Sequence, residues 1–216
     1  MTNSPKLNLM RTILNWTDSK MKHRKRLPNH YERVYILKSA LQVMAAESER
    51  MPGLETGGVL VGFVDSSLKA AVVTAVSGPG PKAEHGPYTF NRDRAFCQAF
   101  LDEHAAHTGG VVDFVGEWHK HREMDPLPSL VDISTYRKLA ANPDCHLDLP
   151  LVFITGMEVL SKSPPIERFV RAKAFVFRRD GFVSRCLMTL PDEAYVDLSL
   201  SRPAYSSNVP FSSPSR

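Results

Sequence analysis

GEWHKHREMDPLPSLVD, residues 116–132, decides how the rest of the chain is read. It continues an apolar run, VVDFVGEWHKH (111–121), whose composition is that of a strand. On a strand, residues i and i+2 share a face roughly 7 Å apart. His119 and His121 therefore point one way and Lys120 the other. Pro126 and Pro128 then break the strand. PSLVDISTYRKLAAN (128–142) reads as a helix that begins at Ser129, with Asp132 in its first turn. A carboxylate there is favoured by the helix dipole and can face back toward the strand end. Two imidazoles and one carboxylate can converge on a metal ion and leave a fourth tetrahedral position for water, the composition of a catalytic zinc site. The same residues also have a plainer reading. A His-x-His pair is common on strands, and Ser129-x-x-Asp132 before an apolar run resembles a capping box. The Ser129 hydroxyl has donor and acceptor capacity for both roles.

Upstream, LETGGVLVG (54–62) supplies a candidate general base. Glu55 stands at the mouth of an apolar strand, and Gly57 and Gly58 allow close backbone approach beside it. Ser129 is placed to donate to a developing oxyanion. Taken singly, Glu55 is an ordinary surface carboxylate. What lifts the reading is the order: Glu55 before a Gly-Gly strand, then His-x-His, seven residues, and Ser-x-x-Asp.

The chain has 216 residues, 43% hydrophobic and 23% charged, enough to bury one core without staples. Its three cysteines, Cys97, Cys145 and Cys186, form no CxxC pair, which points to reduced thiols in a cytoplasm rather than to secretion. The first residues contain no secretory h-region, and no stretch approaches the ~18 apolar residues of a membrane span. The net charge of +4 is mild and concentrates in KMKHRKR (20–26), read as a solvated basic linker and not as a nucleic-acid contact.

The expected organisation is a basic, partly disordered leader (1–27), one domain (28–190) and a Ser/Pro-rich disordered tail (191–216). Within the domain, ERVYIL predicts a strand and LKSALQVMAAESER a helix stopped by Pro52-Gly53. GGVLVGFVD and AAVVTAVSG predict a hairpin, and GPGPKAEHGP a loop. RDRAFCQAFLDEHAAH predicts a long helix with Phe96, Phe100 and Leu101 on one face. LPLVFITG is a further strand, and two more flank Asp180-Gly181. The sum is an α/β domain with a mixed sheet and two main helices packed on it. Trp118 should enter the core, while Glu117 and Asp113 should face solvent. Cys145-His146 are read as loop residues, and His104 with His107 as a helix surface.

At Glu55, His119-Lys120-His121, Ser129 and Asp132 the sequence resembles the JAMM metalloproteases of the MPN (JAB/Mov34) superfamily, over about residues 33–160. SGPGPKAEHGPYTFNRD and GEWH are most similar to the prokaryotic JAB branch, whose members are often encoded beside E1-like and E2-like proteins. The resemblance implies an MPN (JAB1/cytidine-deaminase-like) fold, a mixed curved sheet flanked by two main helices. It implies one Zn2+ per chain, with a bound water or hydroxide, held by His119, His121 and Asp132. Glu55 would be the general base, and Ser129 would steady the oxyanion. The implied reaction is hydrolysis after the C-terminus of a ubiquitin-like modifier, by deconjugation or precursor processing. The implied setting is a bacterial cytoplasmic conjugation or antiphage system. One departure stands out. Arg122 occupies the place where most relatives have proline. Arg122 or Lys120 is expected to meet an acidic patch on the modifier, and His85 to line the groove for its tail. Two alternatives stay open: a non-catalytic MPN protein-binding scaffold, and a peptidase acting on a sulfur-carrier protein precursor.

Overall fold

Among the described residues seven strands wind into one curved, mixed sheet that closes on itself. The computed structural model describes residues 32–65, 69–122, 125–141, 149–159, 168–178 and 180–190. The expected leader and tail, the basic run 20–26 and Cys145-His146 lie outside the described residues.

The chain enters through β1 (Arg33–Leu37) and helix α1 (Lys38–Arg50). The long hairpin of β2 (Thr56–Asp65) and β3 (Ala70–Val76) follows, as the apolar runs predict. A small two-stranded ribbon follows, with β4 (Glu84–His85) inside the expected Pro/Gly loop and β5 (Phe90–Asn91) just beyond it, and it is a sheet separate from the main one. Two residues per strand give too little periodicity to announce a ribbon in sequence. Then come α2 (Arg94–His107), β6 (Asp113–Lys120), α3 (Leu130–Ala141), β7 (Leu151–Val159), β8 (Arg168–Arg178) and β9 (Gly181–Leu190). The sheet order is β1-β3-β2-β6-β7-β8-β9, and β1 pairs in parallel with both β3 and β9, which closes the barrel. This pairing of the first and last strands has no local signature in sequence.

Among the described residues three helices accompany the sheet: the two main helices expected on it, and the helix expected in LKSALQVMAAESER. The third is α1, which packs Ala40 and Met44 into a core shared with Ile36, Leu60, Trp118 and Phe153. The second core, across the sheet, gathers Val59, Phe63, Phe114, Tyr136, Ile154 and Phe177 around α2 and α3. On α2 the buried stripe is Cys97 and Leu101, four apart, while Phe96 is exposed, contrary to the face expected from the phenylalanines. Asp93 caps this helix by accepting from the Phe96 N–H at 3.2 Å, which fixes its rotation.

Two backbone irregularities aim the site. The β2–β6 register slips between Leu60 and Val61, which leaves Val115 as an extra residue on β6. The neighbouring Gly116 has φ +156°, and a Cβ there would overlap the Leu151 carbonyl. Such bulges re-aim the residues that follow them. Beyond the bulge, Thr56 pairs with Lys120 and Gly57 with His119. One step further along the same antiparallel register, Glu55 stands opposite His121.

Candidate metal centre

Strand alternation delivers His119 and His121 to one face at the end of β6. Ser129 and Asp132 come from the start of α3. The Ser129 backbone N–H and hydroxyl both donate to Asp132 Oδ2, at 2.7 and 2.6 Å. The Asp132 N–H donates back to Ser129 Oγ at 3.2 Å. The capping box therefore exists, and it is what turns the Asp132 carboxylate toward the strand. The two readings left open by the sequence are both realised, because the cap orients the third member of the cluster.

The donor atoms converge. His119 Nε2 lies 2.9 Å from His121 Nε2. Asp132 Oδ1 is 3.3 Å from His119 Nε2, and Asp132 Oδ2 is 3.1 Å from His121 Nε2. One ion bound tetrahedrally at about 2.0–2.1 Å needs donors about 3.3 Å apart. The observed separations lie at or a little below that distance, with one Asp132 oxygen facing each histidine, and the donor set of two imidazoles and one carboxylate suits zinc chemistry. Among the described residues this is the cluster of His, Cys, Asp and Glu able to hold a metal ion. Burial works against the charge on Asp132, but the His119 charge and hydrogen bonds from His119, His121 and Ser129 hold its carboxyl far below the usual range. Burial also disfavours charge on His119, yet Asp132 beside it raises its proton affinity above the ordinary imidazole value.

A cleft of about 410 Å³ opens over this cluster. Glu55, Ser129 and Asp132 line it, together with Tyr88 and Phe90 of the ribbon and Tyr136 of α3. Gly57 keeps the cleft open beside His119. A Cβ at that position would run into the Trp118 carbonyl and the Phe90 ring. Burial raises the proton affinity of Glu55, the positive histidines oppose this, and its pKa lies above the ordinary carboxylate value. The backbone of Glu55 is clasped by the ribbon: its N–H donates to the Gly86 carbonyl at 2.8 Å, and its carbonyl lies 2.9 Å from His85 Nδ1.

The remaining residues singled out in sequence fall in three different places. His85 stands behind Glu55 and against Phe90, with ring centroids 5.5 Å apart, so it supports the base and does not form the groove wall expected of it. Arg122 lies at the rim. Its guanidinium donates to Tyr88 Oη at 2.9 Å and sits 5.6 Å from that ring's centroid. Lys120 corrects the sequence reading outright. It is 1% exposed, and its Nζ donates to the carbonyls of Met51 and Leu54, the latter at 3.1 Å. A lysine enclosed in this way cannot meet an incoming acidic partner. Burial lowers its pKa.

Glu117 also departs from its expected solvent-facing place. Its carboxylate is 2.7 Å from the Arg92 guanidinium, with side-chain exposures of 6% and 5%. Tyr136 Oη donates to Glu117 at 3.3 Å, and the Tyr136 ring stacks 6.4 Å from that of His119. Burial and the Glu117 charge raise the Tyr136 pKa. Glu117 was legible in principle, since it is two residues from His119 on the same strand face. Arg92 was not, because nothing in its local sequence marks it as buried. Trp118 is buried as expected, and its indole N–H donates to the Ser77 carbonyl at 2.9 Å.

The site thus sits on a mixed barrel, with His119 and His121 at the end of β6, Asp132 in the first turn of α3 and Glu55 across a glycine-lined cleft. A family profile described as prokaryotic homologs of the JAB domain matches residues 37–172, and the chain belongs to that family. It is 28% identical over 122 residues to "Probable metalloprotease y4qB" of Sinorhizobium fredii, an alignment that covers 56% of this chain and 74% of that one. It is 32% identical over 124 residues to a "CD-NTase/cGAS isopeptidase" of Enterobacter hormaechei, covering 57% and 67%. The solution structure of protein DSY2949 from Desulfitobacterium hafniense shares the fold, with a TM-score of 0.52 at 19% identity, over 73% of this chain and 93% of that one. Among the described residues no helix is long and apolar enough to cross a membrane.

Proposed function

We propose that this chain is a zinc-dependent peptidase or isopeptidase that cleaves the amide bond following the C-terminus of a ubiquitin-like modifier. The observation that carries the reading is the convergence of His119, His121 and Asp132 within one cleft that also holds Glu55. When bound there, zinc would supply a Lewis acid that lowers the pKa of water and polarises a carbonyl.

The chain's own residues do the rest. Glu55 takes the proton of the attacking water and passes it to the departing amine. Burial raises its proton affinity above that of an ordinary carboxylate, the direction a group that takes up and passes on a proton requires. Ser129 would have to release its hydroxyl proton from Asp132 to meet the oxyanion, and its backbone N–H keeps the carboxylate oriented while it does so. Tyr88 and Phe90 flank the cleft with aromatic surface, which fits an extended peptide tail entering between the ribbon and α3. The name carried by the Enterobacter hormaechei relative supports a setting in which a modifier is removed from a target protein. The cognate partners would be that modifier or its conjugate, with E1-like and E2-like proteins of the same bacterial cytoplasmic system and a role in antiphage defence.

The test is cleavage of a ubiquitin-like protein fused at its C-terminus to a reporter. Wild type is run beside Glu55→Ala and beside wild type treated with a zinc chelator. Cleavage by untreated wild type alone is the expected result. An intact fusion in all three samples, with no zinc bound, would overturn the enzyme reading in favour of a protein-binding scaffold.

A further inference from the structure

Between the two histidines of the cluster lies a buried lysine whose contacts all run the other way. Lys120 points through β6 to the face opposite His119 and His121. It is flanked there by Thr56 on β2 and Thr155 on β7, its partners in register. Both threonines are buried and bonded to α1: Thr56 Oγ1 donates to Glu47 at 3.3 Å, and Thr155 Oγ1 lies 3.1 Å from Ser48 Oγ. Above this polar layer the chain leaves α1 and turns back toward β2 through Met51-Pro52-Gly53-Leu54. The turn is closed by the Leu54 N–H donating to the Met51 carbonyl at 3.3 Å, with Gly53 at φ +72°. Proline followed by a left-handed glycine is the composition of a type II turn. The Lys120 ammonium donates to the carbonyls at both ends of that turn. One of them, Met51, is the C-cap of α1, where a cation is favoured by the helix dipole. Glu55 is the next residue.

We infer that Lys120 is a positioning residue for Glu55: it ties the turn that presents the base to the same strand that presents the two histidines. The proposal rests on the reading of Glu55 as the general base. The hydrogen bonds described for the Glu55 backbone itself are those to His85 and Gly86 in the ribbon. Among the described residues that ribbon is a two-stranded sheet of its own, outside the barrel's strand order. The β2–β6 ladder holds Glu55 from its C-terminal side through Thr56, and the tie through Lys120 holds the turn on its N-terminal side against the barrel. One strand then sets the whole geometry, with its outer face holding His119 and His121 and its inner face holding the base's turn. A neutral side chain of similar length would leave the Met51 and Leu54 carbonyls without that donor and free the turn to shift.

The experiment compares wild type, Lys120→Met and Lys120→Arg as full chains. It reads amide hydrogen exchange of the segment 51–57 without metal, zinc bound per chain, and kcat and KM on the ubiquitin-like reporter fusion. In Lys120→Met, exchange in 51–57 should rise at least about tenfold while β7 and β8 stay protected. Zinc should remain at one per chain, and kcat should fall by about 100-fold with KM nearly unchanged, the effect of a misplaced catalytic group. Lys120→Arg, which keeps the cation, should recover part of both losses. If Lys120→Met does not fold, Lys120→Gln carries the same expectations. Unchanged exchange in 51–57, or loss of zinc in step with kcat, would overturn the proposal and make Lys120 an ordinary part of the core. If wild type leaves the fusion intact, the substrate reading fails, and the exchange data decide the positioning by themselves.

Discussion

Neutralising Glu117 as Glu117→Gln should unfold the domain far more easily than its distance from solvent and ligand would imply. Glu117 and Arg92 are almost wholly enclosed, and their charges are 2.7 Å apart. At an effective dielectric constant of about 20, two unit charges at that separation attract by about 6 kcal/mol. Desolvating each ion costs several kcal/mol, so the intact pair contributes little net stability. Glu117→Gln keeps an acceptor for Tyr136 but leaves Arg92 charged in the core. Arg92→Met does the converse. Each single variant should cost about 3–5 kcal/mol, while the double variant should cost less than either. Urea unfolding of the four proteins, metal-free and at neutral pH, gives the cycle directly. For a domain of this size the single losses correspond to about 6–20 °C in Tm. A double variant as unstable as the sum of the singles would refute the argument, because it would mean that the two side chains stabilise independently and not as a charge pair.

Three further outcomes are expected. Glu55 has a raised pKa, so it binds its proton more tightly folded than unfolded, and its contribution to stability is complete below the unfolded carboxylate pKa and lost as pH rises through the folded one. Glu55→Gln should therefore raise the Tm of the metal-free chain at pH 7 by a few degrees and leave it unchanged near pH 3; equal shifts at both values would contradict this. Zinc at about 100 times its Kd should stabilise wild type by about 2.7 kcal/mol and His121→Ala by almost nothing, measured as the zinc-dependent shift in unfolding midpoint. Ser129→Ala removes a reciprocal cap and should cost about 1 kcal/mol. If Ser129 also serves the oxyanion, kcat should fall about 100-fold or more, and a loss of stability without a loss of kcat would restrict it to capping.

What the sequence determined by itself was mostly short-range. Alternation on a strand put His119 and His121 on one face, proline breaks and a Ser-x-x-Asp start placed Asp132 in a first helical turn, and apolar runs marked the main strands. Each depends on residues within about a dozen positions of one another, where backbone periodicity dictates direction. The likeness to JAMM proteins added Glu55 from more than sixty residues away, a link that local periodicity cannot supply. Tertiary structure decided the rest. Only the β2–β6 register sets Glu55 opposite His121, and only the pairing of β1 with β9 closes the sheet. The polar residues were hardest to place, since a charge in sequence looks solvated until its partner is known. Lys120 is buried because α1 ends above it and offers carbonyls. Glu117 is buried because Arg92, from the start of the segment leading into α2, reaches it across the cleft wall. Burial of a charge is a property of the groups that long-range folding brings around it, and composition at the residue itself cannot reveal them.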